Sequence, residues 1–142
     1  MFVHDDHTPS SSLLATTQET SELYPSTARQ SEITVPVERL DDWIAANGVA
    51  LGGNVLLKID VQGFEMRVLK GAPETLARTA AVIIEANLEQ LYEGQSRFIE
   101  LVGLLDAAGL AYAGNLSQAC APDGRIVFVD AVFVRPLPAT SH

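Results

Sequence analysis

The chain has 142 residues, 47% of them hydrophobic, and a formal net charge of −9 from nine Lys and Arg against 18 Asp and Glu. That suits one domain that buries roughly 68–70% of its unfolded surface. Without a basic cluster it excludes a phosphate-backbone partner, so no nucleic acid is expected, and the acidity disfavours anionic membranes.

Cys120 is the single cysteine, so no disulfide forms within the chain, and it reads as a small buried hydrophobe. The start, Met1-Phe2-Val3-His4-Asp5-Asp6, has no basic region and no apolar core, so it is not a signal peptide. No apolar run approaches the ~20 residues of a membrane helix. A cytoplasmic protein is expected.

Residues 1–32 form a polar N-terminal segment, rich in Ser, Thr, Glu and Gln and interrupted by Pro9 and Pro25. It is expected to be largely irregular, with one ordered edge near Ser11–Leu14. His4 and His7 flank Asp5 and Asp6, but no other His lies nearby, so a solvated start is expected rather than a metal site.

A folded unit is expected over 33–136. Ile33-Thr34-Val35-Pro36-Val37 reads as a strand, at an edge because Pro36 cannot donate to a central ladder. Leu40, Trp43 and Ile44 recur at helical spacing, which predicts a helix over 39–46 with Trp43 packed on the sheet. Gly52-Gly53 precedes the next strand instead of following one, so it is a turn and not a phosphate-cradling loop.

Val55–Ile59 is apolar on both faces and turns polar only at its carboxyl end, with Asp60, Gln62 and Glu65. That pattern suits a parallel strand covered on both sides, and open parallel sheets bind ligands beyond their carboxyl ends. Phe64, Val68 and Leu69 give a short apolar helix closed by Gly71, and Pro73–Leu76 adds a helical turn. Ala81–Asn87 repeats the strand design and ends in Glu85 and Asn87. Side chains alternate along a strand, so Lys58 and Asp60 share one face and Glu85 and Asn87 share another. If those faces coincide, the four residues form one polar cluster. Ser96 is a candidate cap for a helix carrying Phe98, Leu101, Val102 and Leu105, with Gly109 after its end. Leu110–Leu116 and Arg125–Val134 read as the last strands, joined through the turn Ala121–Gly124 and paired antiparallel. Pro136 and Pro138 end the fold, and 137–142 are a loose tail.

Lys58-Ile59-Asp60-Val61-Gln62-Gly63-Phe64-Glu65, followed by Val68-Leu69-Lys70-Gly71-Ala72, resembles the signature of the FkbM family of S-adenosylmethionine-dependent methyltransferases. Ser11-Ser12-Leu13, Val37–Asp42, Val82–Glu85 and Asp130–Val134 resemble further segments of that family in the same order. The resemblance covers the second half of the family's domain. It implies an α/β fold: part of a doubly wound, Rossmann-like sheet, mostly parallel with a final antiparallel strand and without its first strands. It implies S-adenosylmethionine as cofactor, but the usual holders, a glycine-rich turn after strand one and an acid after strand two, match no residue here, so no cofactor contact is assigned. A truncated enzyme with an open sheet edge is the expectation that follows.

The implied chemistry is O-methylation of a hydroxyl on a small-molecule or glycan acceptor, such as a sugar, lipid or natural product. Candidate catalytic residues are Asp60 as base, Lys58 as the charge that favours its ionised form, Glu65 in the first helical turn, and Glu85 as a substrate holder or partner of Lys58. Lys58, Asp60 and Glu85 also read as an ion-pair network that fixes the strand ends, and Glu65 as a first-turn helix stabiliser. Gln62 stands where the family often has a second Glu. Two other readings remain: a non-catalytic remnant that binds a partner through its open edge, and a hydrolase-like site using Asp60, Glu65 and Glu85 around a divalent metal.

Overall fold

The computed structural model describes residues 1–6 and 8–137. Its core is a four-stranded mixed sheet in the order β3-β4-β6-β5. The strands are β3 (Val55–Ile59), β4 (Thr79–Asn87), β5 (Ala111–Cys120) and β6 (Ile126–Val134). β3 and β4 run parallel, while β4 with β6 and β5 with β6 run antiparallel. The sheet is therefore less parallel than expected. β5 returns through a tight turn, which demands an antiparallel partner, and β6 then inserts beside β4 instead of extending a parallel series.

Three helices cover one face: α3 (Glu65–Lys70), α4 (Pro73–Ala77) and α5 (Phe98–Ala107). Ile59, Val82, Ile84, Ala131 and Phe133 meet Leu69, Leu76, Leu101 and Leu105 there in one buried core. Arg97, not Ser96, stands at the N-cap of α5, and its N–H donates to the Glu100 carboxylate at 2.8 Å. On the other face β3 is not covered, and Leu56 is 63% exposed. The doubly apolar pattern thus predicts one covering layer too many for this strand.

The polar N-terminal segment is more ordered than its composition suggests. It holds β1 (Phe2–His4), α1 (Gln18–Leu23) and β2 (Gln30–Glu32), with 3₁₀ turns at Thr8–Ser10 and Pro25–Thr27. β1 pairs antiparallel with β2. The strand expected at Ile33–Val37 is absent, because β1 pairs with residues 30–32 and only Ile33 continues, exchanging backbone hydrogen bonds with Met1. His4 is buried, not solvated, and among the described residues neither ring nitrogen has a partner. His7 and Pro138 lie outside the described residues.

α2 (Leu40–Ala46) forms where expected, but Trp43 is 48% exposed. The residue that faces inward is Asp41. Its carboxylate accepts from the Glu74 and Thr75 N–H groups at 2.8 and 3.0 Å and from the Thr75 hydroxyl at 2.6 Å, capping α4. Two residues along a helix is about 200°, so seating Asp41 inward turns Trp43 outward. Cys120 is exposed near the hairpin end, not buried. Among the described residues no helix is long and apolar enough to cross a membrane.

Candidate active site

The carboxyl ends of β3 and β4 stand side by side, with Ile59 opposite Ile84. Asp60 and Glu85 follow, and the turn after β3 carries Gln62 between them. The Gln62 amide nitrogen donates to Asp60 Oδ1 at 2.7 Å and to Glu85 Oε1 at 2.8 Å. Gln62 Oε1 accepts from the Tyr92 hydroxyl at 2.6 Å. Its main chain is left-handed, with φ +53°, which costs a non-glycine residue about 1 kcal/mol.

Two neighbours hold this turn. The Ser12 hydroxyl donates to the Gln62 carbonyl at 2.6 Å and accepts from the Leu14 N–H at 2.9 Å. The Ser-Ser-Leu element thereby ties the N-terminal segment to the turn. Gly63 has φ +92°, and a Cβ there would lie 2.9 Å from Tyr92. Only glycine allows both the conformation and the close approach of the Tyr92 ring.

The N-terminal segment closes over these strand ends. The Thr17 N–H donates to Leu91 O at 2.9 Å, the Thr17 hydroxyl to Gln90 O at 2.7 Å, and the Glu93 N–H to Ala15 O at 2.8 Å. The Thr20 hydroxyl also donates to Leu91 O. Beneath lies a cavity of about 300 Å³ whose walls include Tyr24, Asp60, Gln62, Glu85, Tyr92 and Phe128. A larger hollow of about 380 Å³ lies beside α2 and α4, but its carboxylate, Asp41, is already occupied in capping.

The four sequence-derived site residues separate into two groups. Asp60 and Glu85 line the cavity. Lys58 reaches over β4 instead, to Asp130 Oδ1 on β6 at 3.0 Å, and lies 3.7 Å from Asp60. Burial opposes its charge, but the hydrogen bond to Asp130 and the nearby carboxylates hold its pKa above the ordinary value. Asp130 is held below the usual range, first by the Ser117 hydroxyl at 2.5 Å and then, against partial burial, by Lys58. Glu65 is buried and turned back on its own turn, accepting from the Gly63 N–H at 2.9 Å. Burial pushes its pKa up, against those backbone hydrogen bonds.

Glu85 differs from all of these. Burial, then the charge of Asp60, pushes its pKa up to about 7, against the single amide hydrogen bond from Gln62. Burial and Glu85 also raise the hydroxyl pKa of both Tyr24 and Tyr92, which keeps them protonated donors. Asn87 lines the same cavity, and its amide reaches Gln95 at 3.4 Å.

Sequence reading missed Gln62, Tyr92, Tyr24 and Asp130 as members. Asp130 and Glu85 are cross-strand partners, so its place became legible only once β6 was known to lie beside β4. Nothing in the local pattern announces Tyr92. Among the described residues no three His, Cys, Asp or Glu side chains are placed to hold a metal ion, the trio Asp60, Glu65 and Glu85 included.

In an α/β domain, acids gathered at strand ends beside a cavity stand where such sheets bind their ligands. Residues 1–112 match the methyltransferase FkbM domain, and the chain belongs to that family. The match takes in Lys58, Asp60, Gln62, Glu65, Glu85 and Tyr92. Over 73 residues the chain is 40% identical to the 2-O-methyltransferase NoeI of Sinorhizobium fredii (strain NBRC 101917 / NGR234). That alignment covers 51% of this chain and 29% of the relative, so the chain spans under a third of the protein it matches. No solved structure gives a significant match.

Members of this family use S-adenosylmethionine. The residues present do not make a cradle for it: among the described residues no glycine-rich turn follows a strand, and Gly52-Gly53 lies ahead of β3.

Proposed function

We propose that this domain takes part in O-methylation, and that the cavity under the N-terminal segment receives the hydroxyl to be methylated. When bound, S-adenosylmethionine supplies an electrophilic methyl group. The residues of this chain act on the other reactant. They bind the acceptor, orient its hydroxyl and accept its proton.

The observation that carries this reading is the pairing of Asp60 and Glu85 on one cavity wall, bridged by Gln62. A base works best with a pKa near the operating pH. Glu85, at about 7, meets that condition, so it takes the role of base, with Asp60 beside it accepting a second hydrogen bond from the acceptor. Lys58 holds the end of β3 through Asp130, and Glu65 holds the turn. The walls include Tyr24, Tyr92 and Phe128 and no Lys or Arg. A ring-shaped, uncharged acceptor rich in hydroxyls fits them, such as a sugar unit of a glycan or glycosylated product. The relative's name, a 2-O-methyltransferase, agrees with a hydroxyl acceptor.

The test is methyl transfer from labelled S-adenosylmethionine to methyl glycosides, by the domain extended to the length of its relative. Glu85→Gln should lower turnover about 10²–10⁴-fold, and Asp60→Asn should lower it by less, while cofactor binding persists. Unchanged turnover in both would contradict the reading. The free outer edge of β3 favours a second reading, pairing with another strand. A chain that gains stability from a partner protein, and whose extended form binds no cofactor by calorimetry, would support that one instead.

A further inference from the structure

We propose that Gln62 is a positioning residue, whose carboxamide clamps Asp60 and Glu85 side by side on the cavity wall in the one orientation that presents both to an acceptor hydroxyl. This rests on the methyl-transfer reading of the cavity.

The two hydrogens of the Gln62 amide go to two different carboxylates, at 2.7 and 2.8 Å. Its oxygen takes the Tyr92 hydroxyl at 2.6 Å. A carboxylate only accepts, so both acids require the same orientation of the amide, and the Tyr92 hydroxyl, which also reaches Ser10 O at 3.3 Å, fits it by donating to the amide oxygen. Flipping the amide would break both bonds to the acids. Among the described residues Gln62 is also the one hydrogen-bond donor to Glu85. The charged and titratable groups around Glu85 are Asp60 and Lys58 from the end of β3, Asp130 from β6, Tyr24 from the covering segment and Tyr92.

The backbone adds an independent argument. Asn tolerates the left-handed region better than Gln does. A residue that served only the turn would be Asn or Gly. Gln is disfavoured at φ +53°, and what it adds over Asn is one methylene of reach toward two carboxylates. The Glu that the family often has here could not donate to either acid, so the clamp belongs to the Gln of this chain. Conformation and bonding agree on it.

The experiment uses this chain and needs no turnover. Carboxyl-carbon NMR follows the titration of Glu85 in the unaltered chain, in Gln62→Asn and in Gln62→Met, with thermal unfolding alongside. Gln62→Asn should stay folded, because the better-suited backbone offsets part of the lost hydrogen bonds. In both variants the Glu85 midpoint should rise by roughly one pH unit above its starting value, as the donor to the ionised form is lost. An unmoved midpoint in both variants overturns the clamp, and so does loss of folding in Gln62→Asn, which would make Gln62 a structural residue. The two ideas fail separately: an active extended domain with an unmoved midpoint removes the clamp alone, whereas a shifted midpoint in a domain that transfers no methyl group removes the functional reading alone.

Discussion

Asp41 and Glu85 are both acids set against the same fold, and they are treated in opposite ways. Asp41 accepts three hydrogen bonds from Glu74 and Thr75 at the start of α4. Although burial works against its charge, these bonds hold its pKa below the ordinary value. Glu85 is given one amide donor and a neighbouring carboxylate, and its pKa rises to about 7. A carboxylate that only holds structure is surrounded by donors. One left under-supplied beside a cavity is free to accept a proton from something else. On the proposed reading, the contrast between full and partial satisfaction, more than residue type, marks scaffold from site.

The largest effect should come from removing the satisfied acid. Asp41→Ala leaves the α4 amides and the Thr75 hydroxyl without their acceptor and should lower unfolding stability by about 2–4 kcal/mol in urea. It should leave the Glu85 titration unmoved. Because the folded pKa of Asp41 is lowered, its contribution is present at neutral pH and is lost as pH falls through the acid range below its ordinary value. Gly63→Ala comes next, at about 2 kcal/mol, because a methyl group at φ +92° would press on Tyr92.

Glu85→Gln should act in the reverse direction. A carboxyl whose folded pKa is raised contributes stability below its unfolded pKa and loses it as pH rises to about 7. The variant should therefore be more stable than the parent at pH 8, by about 1–2 kcal/mol after allowing for partial exposure, with the gain gone below the unfolded pKa of about 4.3. A loss of stability at pH 8 would place Glu85 with Asp41 and erase the contrast. Lys58→Met is expected to be smallest. Its ion pairs with Asp60 and Asp130 are half-exposed, so urea unfolding should change by less than about 1 kcal/mol.

Much of this contrast was legible in the sequence on one side only. The acids at the ends of β3 and β4 follow from period-two alternation and the abrupt switch from apolar to polar residues. The helices α2, α3 and α5 follow from their apolar spacing. The order of the strands does not follow, because β6 enters between β4 and β5, and with it Asp130 comes opposite Glu85. The N-terminal segment was hidden for a different reason. It is held by Ser and Thr hydroxyls bonded to main-chain carbonyls, such as Thr17 to Gln90 and Ser12 to Gln62, and composition rates such residues as loop formers. Gln62 itself looked like the loss of a charge. Its work as a bridge depends on a turn conformation that no local pattern announces.

The central claim is that Glu85 is left poised while its neighbours are held, and the titration of the Glu85 carboxyl carbon in the unaltered chain tests it most directly. A midpoint near 7 is the expected result. A midpoint at the ordinary glutamate value of about 4.3 would mean that Glu85 is not left under-supplied, and the contrast with Asp41 and the assignment of Glu85 as base would both fall.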